Sequence, residues 1–280
     1  QRSRPRPPTN PTHPTFVTIR SGMTRDGHLT AREVRTVHAS GAYGAMKPRS
    51  FLSTSHYVGG GYRIPNTSFE FLQVCTNTTP GGYFRAPGAH QYTFALECHT
   101  DLLAQELGMD PAEFRRINLV DPGDEDAVGR PLRVADVRPV LEAALEASRW
   151  GEPNAGPGRG KGVAIFGRQI GGGAAGAVLT AEADGAFTVL SPTVDVGTGT
   201  HTIEQQMVAN EMGVPLSQVR VSQGDTDSTP FDEGPRASRV TYTEGQAVMK
   251  ACEQMRQAIQ DGANLPLTIT VEHDAPQPED

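Results

Sequence analysis

A glycine turn that leads into a predicted helix is the first segment that could hold a ligand. In VDVGTGTHTIEQQM, Gly197 and Gly199 flank Thr198, and both glycines allow main-chain N–H groups to approach a ligand closely. Free N–H groups and the positive dipole at the helix start favour an anion. The third glycine of a dinucleotide fingerprint is absent. The segment alone therefore predicts either an anion site or a tight turn with Thr202 as the helix cap.

A second helix start carries small side chains and could hold the same kind of group. In GPRASRVTYTEGQAV, Ala237 and Ser238 lie at the beginning of a predicted helix, and Thr241 falls in its first turn. Small side chains let a ligand lie against the backbone, and the helix start again favours phosphate or another anion. Capping of the helix is the alternative interpretation of these residues.

The other motifs in the sequence do not predict a metal site or a catalytic nucleophile. The loop GDTDSTPFDEG does not match the EF-hand spacing and is interrupted by proline, so we predict solvated loop acids at Asp225, Asp227, Asp232 and Glu233. The eight histidines contain no HExxH pair, and the three cysteines contain no CxxC pair. The G-x-S-x-G motif of a nucleophilic serine is also absent. Spacing alone therefore predicts no metal ligands.

Charge and composition limit the class of partner. A net charge of −7 argues against nucleic acid, because phosphate binding needs a basic face. No apolar run is long enough to span a membrane, and no signal-peptide pattern opens the chain. An odd number of widely spaced cysteines fits a reducing compartment, so we predict the cytoplasm, with the periplasm as the alternative. The proline-rich opening and the APQPED ending lead us to expect an internal piece of a longer protein.

The elements that must position the two ligand segments mix strands and helices without strict βαβ order, which predicts an α+β fold. Hydrophobic periodicity predicts a helix over residues 90–108 with Phe94, Cys98, Leu102 and Leu103 on one side. It predicts another helix from about Ser238 onward with one apolar face, formed by Ala247, Val248, Ala251, Met255 and Ile259. Further strands are predicted at 16–23, 29–39, 69–77, 162–166, 177–183, 186–191, 193–196, 219–223 and 267–273.

Glycine and proline punctuation predicts two domains. GEPNAGPGRGKG is the strongest linker signal, so we place one domain at residues 1–150, a linker at 151–160 and a second domain at 161–280.

Taken in order, these segments resemble the large subunits of molybdenum hydroxylases, the family of xanthine dehydrogenase and aldehyde oxidase. GGYFRAPG and the two helices after it resemble the arginine-glycine loop of that family. The stretch from GKGVAIF to ASRVTYTEGQAVMKAC resembles the start of the second cofactor-binding domain. The resemblance implies two molybdopterin-binding domains of mixed sheets with packed helices. Residues 1–150 would form the C-terminal part of the first and 161–280 the N-terminal part of the second, both incomplete.

The resemblance also implies a cofactor, a reaction and partners. The cofactor would be molybdopterin with Mo, in its cytosine dinucleotide form, held between the two domains. The chain would be a fragment of the catalytic subunit of an oxidoreductase that hydroxylates aldehydes or aromatic N-heterocycles with oxygen from water. Electrons would pass to [2Fe–2S] and FAD on an iron–sulfur subunit and an FAD subunit. Substrate, electron acceptor and oligomeric state stay open, and the fragment alone is expected to be inactive.

The resemblance assigns cofactor contacts to seven positions: Arg85, Gly197, Thr198, Gly199, Ala237, Ser238 and Thr241. Arg85 matches the arginine of the loop beside the cofactor, and residues 197–199 match a G-Q-G turn in which threonine replaces glutamine. Ala237 and Ser238 match a small pair whose backbone lies against the cofactor. Cys75 stands about where purine-oxidising members carry a substrate-orienting arginine, which disfavours purines.

No catalytic residue is assigned. The general base of the family is a glutamate in a glycine-rich E-G-x-G loop, and Glu244-Gly245 lies instead within a predicted helix. We expect that glutamate beyond Asp280 and the upstream loops before Gln1. The alternative function is a non-catalytic remnant, or a split-subunit scaffold that only assembles with partner chains. A nucleotide-binding protein that uses GTGTHT is disfavoured by the incomplete fingerprint.

Overall fold

Two compact units make up the chain. The computed structural model describes residues 11–43, 60–82, 86, 88–126, 129, 131–132, 137–154, 156–167 and 170–276. The chain divides into Gln1–Arg168, here called unit 1, and Gln169–Asp280, here called unit 2. Each unit has a mixed sheet with packed helices, which confirms the predicted α+β class.

Unit 1 is built on a three-stranded sheet in the order β1-β2-β3. Its elements in the described residues are β1 (Thr15–Met23), β2 (Leu29–Gly41), β3 (Thr67–Cys75), α1 (Ala89–Glu106), α2 (Pro111–Asn118) and α3 (Val137–Ala147). The first two strands pair antiparallel across a turn in which Gly27 takes a φ of 91°, and β3 joins β2 in parallel. The long strand β2 is therefore the central strand of the sheet and pairs with both of the others.

The buried face of α1 differs from the predicted one. Phe94 and Leu102 are 75% and 62% exposed, whereas Tyr92, Leu96 and Ala104 are buried. Polar residues occupy part of the buried face, so counting apolar residues at helical spacing selected the wrong side. The prediction was wrong for Phe94, Cys98 and Leu102, whereas Leu103 packs against the core and the helix itself is confirmed.

A buried carboxylate explains both the inward face of α1 and the path of the chain after α3. Glu97 accepts hydrogen bonds from Tyr62 Oη at 2.8 Å, Arg115 Nε at 3.0 Å and the backbone N–H of Ile165 at 2.8 Å. Val163 and Ile165 pack against the core of unit 1. The predicted strand at 162–166 was wrong, because Ile165 bonds a side chain instead of a neighbouring strand. The segment predicted as a linker, 151–160, lies within unit 1, and the domain limits stay a prediction.

Unit 2 is a four-stranded sheet in the order β6-β5-β4-β7 with two helices packed against it. Its elements are β4 (Gly173–Ala181), β5 (Phe187–Ser191), α4 (Thr200–Met212), a short 3-10 turn (Leu216–Gln218), β6 (Val219–Gln223), α5 (Val240–Gln260) and β7 (Leu267–Ala275). The predicted strands at 177–183 and 186–191 correspond to β4 and β5, which form an antiparallel hairpin, and β5 pairs with β6 in parallel. The result is a mixed sheet.

The core of unit 2 lies between its sheet and its helices. The predicted apolar face of α5 is confirmed at its four buried members, Ala247, Val248, Ala251 and Met255. Ile259, near the end of the helix, is 39% exposed. The predicted strand at 193–196 was wrong, because this segment is a loop in which the side chain of Asp195 binds the following backbone.

Candidate functional site

The GTG turn (residues 197–199) is held by a single carboxylate. Asp195 Oδ1 accepts hydrogen bonds from the backbone N–H groups of Gly197 at 2.8 Å, Thr198 at 2.9 Å and Gly199 at 3.2 Å. These bonds, that of Gly197 first, hold the pKa of Asp195 below its ordinary value. Both glycines have a positive φ, 96° and 78°, which explains why they stand there. Asp195 therefore already binds the three backbone N–H groups of the turn, and an anion site at the helix start that follows stays a prediction.

The GTG turn still leaves room for a neutral ligand. A side chain added at Gly197 or Gly199 would meet no described atom within 4 Å. The Thr198 side chain is exposed, and its Oγ1 lies 3.0 Å from Thr200 Oγ1. Helix α4 begins at Thr200 with Gly199 as its N-cap residue, so Thr202 does not cap it. Open backbone and a hydroxyl suit the uncharged, hydrogen-bonding part of a ligand.

The second predicted segment has an unusual backbone. Ala237 and Ser238, here called the left-handed pair, have φ values of 49° and 58°. A left-handed conformation at a non-glycine residue costs about 1 to 3 kcal/mol and persists where surrounding contacts impose it, most often at functional sites. Ser238 is exposed, and α5 begins two residues later without a side-chain cap. The capping interpretation of Ser238 is therefore wrong.

A buried arginine imposes that backbone. Arg239 is fully buried, and its guanidinium donates to the carbonyl oxygens of Gly172 at 2.9 Å and Gly173 at 3.1 Å and to Asp232 Oδ1 at 3.2 Å. The backbone N–H of Gly171 donates to the carbonyl oxygen of Ala237 at 2.9 Å. The glycine strand entry 171–173 and the left-handed pair therefore hold each other in place. The prediction that Asp232 is a solvated loop acid was wrong, because its side chain is 1% exposed and pairs with Arg239.

Two buried glutamates, to which the sequence analysis assigned no role, lie near the starts of the helices that follow the two segments. Glu204 on α4 and Glu244 on α5 are 2% and 1% exposed, and both have an Oε1 within hydrogen-bond distance of Ser191 Oγ, at 2.8 Å and 3.1 Å. Burial is the first cause that raises the pKa of Glu204, to about 9, and it also raises the pKa of Glu244. Because each glutamate lies one turn inside its helix, the N-terminal turns of α4 and α5 meet at the same end of β5.

A signal for these glutamates exists in the sequence. Glu204 stands four residues before the buried Val208, and Glu244 stands four residues before the buried Val248. Helical spacing therefore places each carboxylate on the apolar side of its helix. A charged residue in that position is a reason to expect a buried polar contact.

Six of the seven predicted cofactor contacts lie among the described residues of unit 2. Within unit 2 the GTG turn and the left-handed pair each precede one of two packed helices, and Thr241 is exposed on the first turn of α5. Arg85 lies outside the described residues, so its assignment stays a prediction. Its neighbour Ala86 also has a positive φ, 49°.

Other kinds of site are not found in the described part of the chain. Among those residues no three histidine, cysteine or acidic side chains are placed to hold a metal ion. The three cysteines are free, with Cys75 and Cys98 exposed and Cys252 buried. Of the helices that the structure describes, none combines the length and the apolar character that a bilayer crossing requires.

Comparison with known proteins identifies the family. A family model described as "Molybdopterin cofactor-binding domain" matches residues 7–119, and a second model with the same description matches residues 138–275. The chain is 34% identical to the "Xanthine dehydrogenase molybdenum-binding subunit" of Escherichia coli O157:H7, over 85% of this chain and 34% of that protein. It is 32% identical to the "Aldehyde oxidoreductase" of Megalodesulfovibrio gigas, over 88% of this chain and 28% of that protein.

A solved structure agrees with these matches. Quinoline 2-oxidoreductase from Pseudomonas putida 86 superimposes with a TM-score of 0.73 at 26% identity, over 89% of this chain and 35% of that one. The chain spans about a third of the length of the curated relatives that it matches. Two molybdopterin cofactor-binding domains thus cover most of the sequence, and the chain belongs to the molybdenum hydroxylase family, that of xanthine dehydrogenase and aldehyde oxidoreductase.

Proposed function

We propose that this chain supplies part of the molybdopterin-binding surface of an oxidoreductase that hydroxylates aldehydes or aromatic N-heterocycles with oxygen from water. The observation that carries the proposal is the left-handed pair, Ala237 and Ser238, held in a strained backbone by the buried Arg239. Strain that buried contacts maintain at an exposed surface is typical of a ligand-binding segment. The match of both units to cofactor-binding domains supports the same assignment.

The described residues of unit 2 fit such a ligand in a specific way. The left-handed pair would present backbone and the Ser238 hydroxyl, with Thr241 beside it on the first helical turn. The GTG turn would present the Thr198 hydroxyl and open space instead of an anion site, because Asp195 fills its N–H groups. We therefore assign uncharged edges of the pterin to this unit. When bound, the molybdenum cofactor supplies the redox and oxygen-transfer chemistry.

The finer points of the proposal rest on the relatives. We propose the cytosine dinucleotide form of the cofactor, an additional contact from Arg85, and partner subunits that carry [2Fe–2S] and FAD. No catalytic residue is assigned to this chain. The free cysteines support the cytoplasm as the compartment.

The test is equilibrium binding of molybdopterin cytosine dinucleotide to the full 280-residue chain, followed by pterin fluorescence. We expect saturable but weak binding, because the chain spans about a third of its relatives. Ser238→Phe places a large ring on the exposed backbone and should weaken binding at least tenfold. Ser217→Phe, on the exposed 3-10 turn, is the matched control and should not change it. A folded chain that shows no saturable binding, or equal binding by both variants, contradicts the proposal.

A further inference from the structure

Ser191 has more acceptors around it than one hydroxyl hydrogen can serve. Its Oγ lies 2.8 Å from Glu204 Oε1, 3.1 Å from Glu244 Oε1 and 3.0 Å from the carbonyl oxygen of Thr193. A serine hydroxyl donates one hydrogen, and a carbonyl oxygen donates none. For the contacts of Ser191 with both glutamates to be hydrogen bonds, at least one of the two carboxyl groups must be protonated and donate to Ser191, whose own hydrogen then points at the other carboxyl group instead of the Thr193 carbonyl.

No cation among the described residues compensates the two carboxylates. Arg239, a buried arginine of unit 2, is bound to Asp232 and to backbone carbonyl oxygens, and Asp232 itself raises the pKa of Glu204 as a further negative charge. His201, on the same helix as Glu204, places Nε2 3.2 Å from the carbonyl oxygen of Thr193 and forms no ion pair with either glutamate. Two ionised carboxylates buried together without a cation are strongly disfavoured.

The unsatisfied oxygen atoms of the two glutamates also indicate that these side chains carry a proton. The second oxygen of each glutamate, Oε2, is buried and has no hydrogen-bond partner among the described residues. Buried polar atoms in folded proteins are nearly always hydrogen-bonded. A proton on one of the two carboxyl groups supplies the donor that Ser191 needs and removes one of the two buried negative charges.

We propose that Glu204 and Glu244, here called the carboxyl pair, hold one shared proton at neutral pH, and that this proton fastens α4 to α5. Because α4 follows the GTG turn and α5 follows the left-handed pair, loss of the proton would push apart the helices that present both segments. The arrangement makes unit 2 sensitive to alkaline pH. It rests on unit 2 alone and is independent of the proposed function.

The direction of the pH response follows from the sign of the shift. Burial, together with the neighbouring Glu244, raises the pKa of Glu204 from 4.5 to about 9, so the folded chain keeps a proton that the unfolded chain releases. The stabilisation is complete below 4.5 and is lost as the pH rises through about 9. Between these values the equilibrium constant for unfolding should increase about tenfold per pH unit for one proton.

The experiment compares urea unfolding of the full chain, followed by circular dichroism between pH 5 and pH 10, in the wild type, E204Q, E244Q and the double variant. We expect the difference in pH slope between the wild type and either single variant to correspond to about one proton. Glu253→Gln, on the exposed side of α5, is the matched control and should keep the wild-type slope. Identical slopes in all variants would overturn the proposal.

Infrared spectroscopy of the wild type provides a second readout that needs no variant to fold. A protonated carboxyl band should be present at pH 7 and should disappear as the pH passes about 9. Absence of this band at pH 7 contradicts a shared proton. A stoichiometric metal ion, found by elemental analysis and needed for stability, would also overturn the proposal, because the cation would then replace the proton.

Discussion

The two units bury ionisable groups in opposite ways. In unit 1, Glu97 faces the fully buried Arg115 and the hydroxyl of Tyr62, so the charges of Glu97 and Arg115 compensate each other. In unit 2 the carboxyl pair has no cation among the described residues, and Arg239 already pairs with Asp232. A compensated cluster stabilises a fold over a wide pH range, whereas an uncompensated one requires a proton. We therefore expect the charged cluster of unit 1 to stabilise its fold over a wide pH range, and the stability of unit 2 to depend on the protonation of the carboxyl pair.

Histidines give unit 1 its own pH response, in the other direction. His38 is 1% exposed, and its ring centroid lies 6.0 Å from that of His13 and 4.9 Å from that of Phe71. Burial, followed by the nearby His13 and His90, lowers the pKa of His38 to about 4. The folded chain therefore holds His38 neutral, and this contribution to stability is lost as the pH falls through that value. Acid should weaken unit 1, and alkali should weaken unit 2.

The largest expected effect comes from breaking the compensated cluster. Arg115→Met leaves Glu97 buried without its cation, which should cost about 3 to 5 kcal/mol of unfolding free energy. Arg116→Met is the matched control, because Arg116 is the next residue and forms exposed ion pairs with Glu113 and Glu142, each worth less than about 1 kcal/mol. Urea unfolding followed by the fluorescence of Trp150, which packs on the core of unit 1, measures both. Equal losses of unfolding free energy in the two variants would contradict a special role for the buried ion pair of Arg115 and Glu97.

The next effect sharpens the contrast in pH. His38→Phe, which suits the aromatic neighbours of that side chain, should flatten the loss of stability of unit 1 between pH 6.5 and about 4. The expected difference in slope is at most about 1.4 kcal/mol per pH unit, the value for one proton. Trp150 fluorescence again reports unit 1, and His28→Gln, an exposed histidine, should keep the wild-type slope. If the loss of stability in acid is the same in His38→Phe as in the wild type, groups other than His38 cause the acid sensitivity.

The smallest effect tests the strain in unit 2. Ala237→Gly should raise the free energy of unfolding by about 1 kcal/mol, because glycine adopts the left-handed conformation without a steric cost. Ala258→Gly, inside α5, should lower it by about 1 kcal/mol, which is the usual cost of glycine in a helix. Thermal unfolding by circular dichroism measures both changes. A loss of stability in Ala237→Gly would show that the backbone there is not strained.

Local chemistry allowed much of the fold to be predicted from the sequence. The sequence Asp110-Pro111-Ala112-Glu113 predicts a helix start, and in α2 Asp110 Oδ1 accepts from the backbone N–H groups of Ala112 at 2.8 Å and Glu113 at 3.1 Å. The glycine turn at Gly27 and the β4–β5 hairpin depend on equally short segments. Elements whose hydrogen bonds close nearby in the chain could therefore be predicted.

The buried polar contacts could not be predicted in the same way. Ser191 and Glu244 are 53 residues apart in sequence, and Glu97 and Ile165 are 68 residues apart. Periodicity indicates that a residue faces inward, but it does not name a distant partner. Asp232 was expected in solvent although its partner Arg239 is only 7 residues away, because the spacing does not show that this arginine is buried. For the candidate site, motif spacing correctly located two helix starts but did not reveal that Asp195 fills the first of them.

The most direct test of the proposed cofactor surface is hydrogen–deuterium exchange of the full chain with and without molybdopterin cytosine dinucleotide. When the cofactor is bound, we expect slower exchange at residues 235–242, around the left-handed pair. We expect a smaller decrease in exchange at the GTG turn, where Asp195 already binds the N–H groups. Protection confined to other parts of the chain, with none at Ala237 and Ser238, would contradict it.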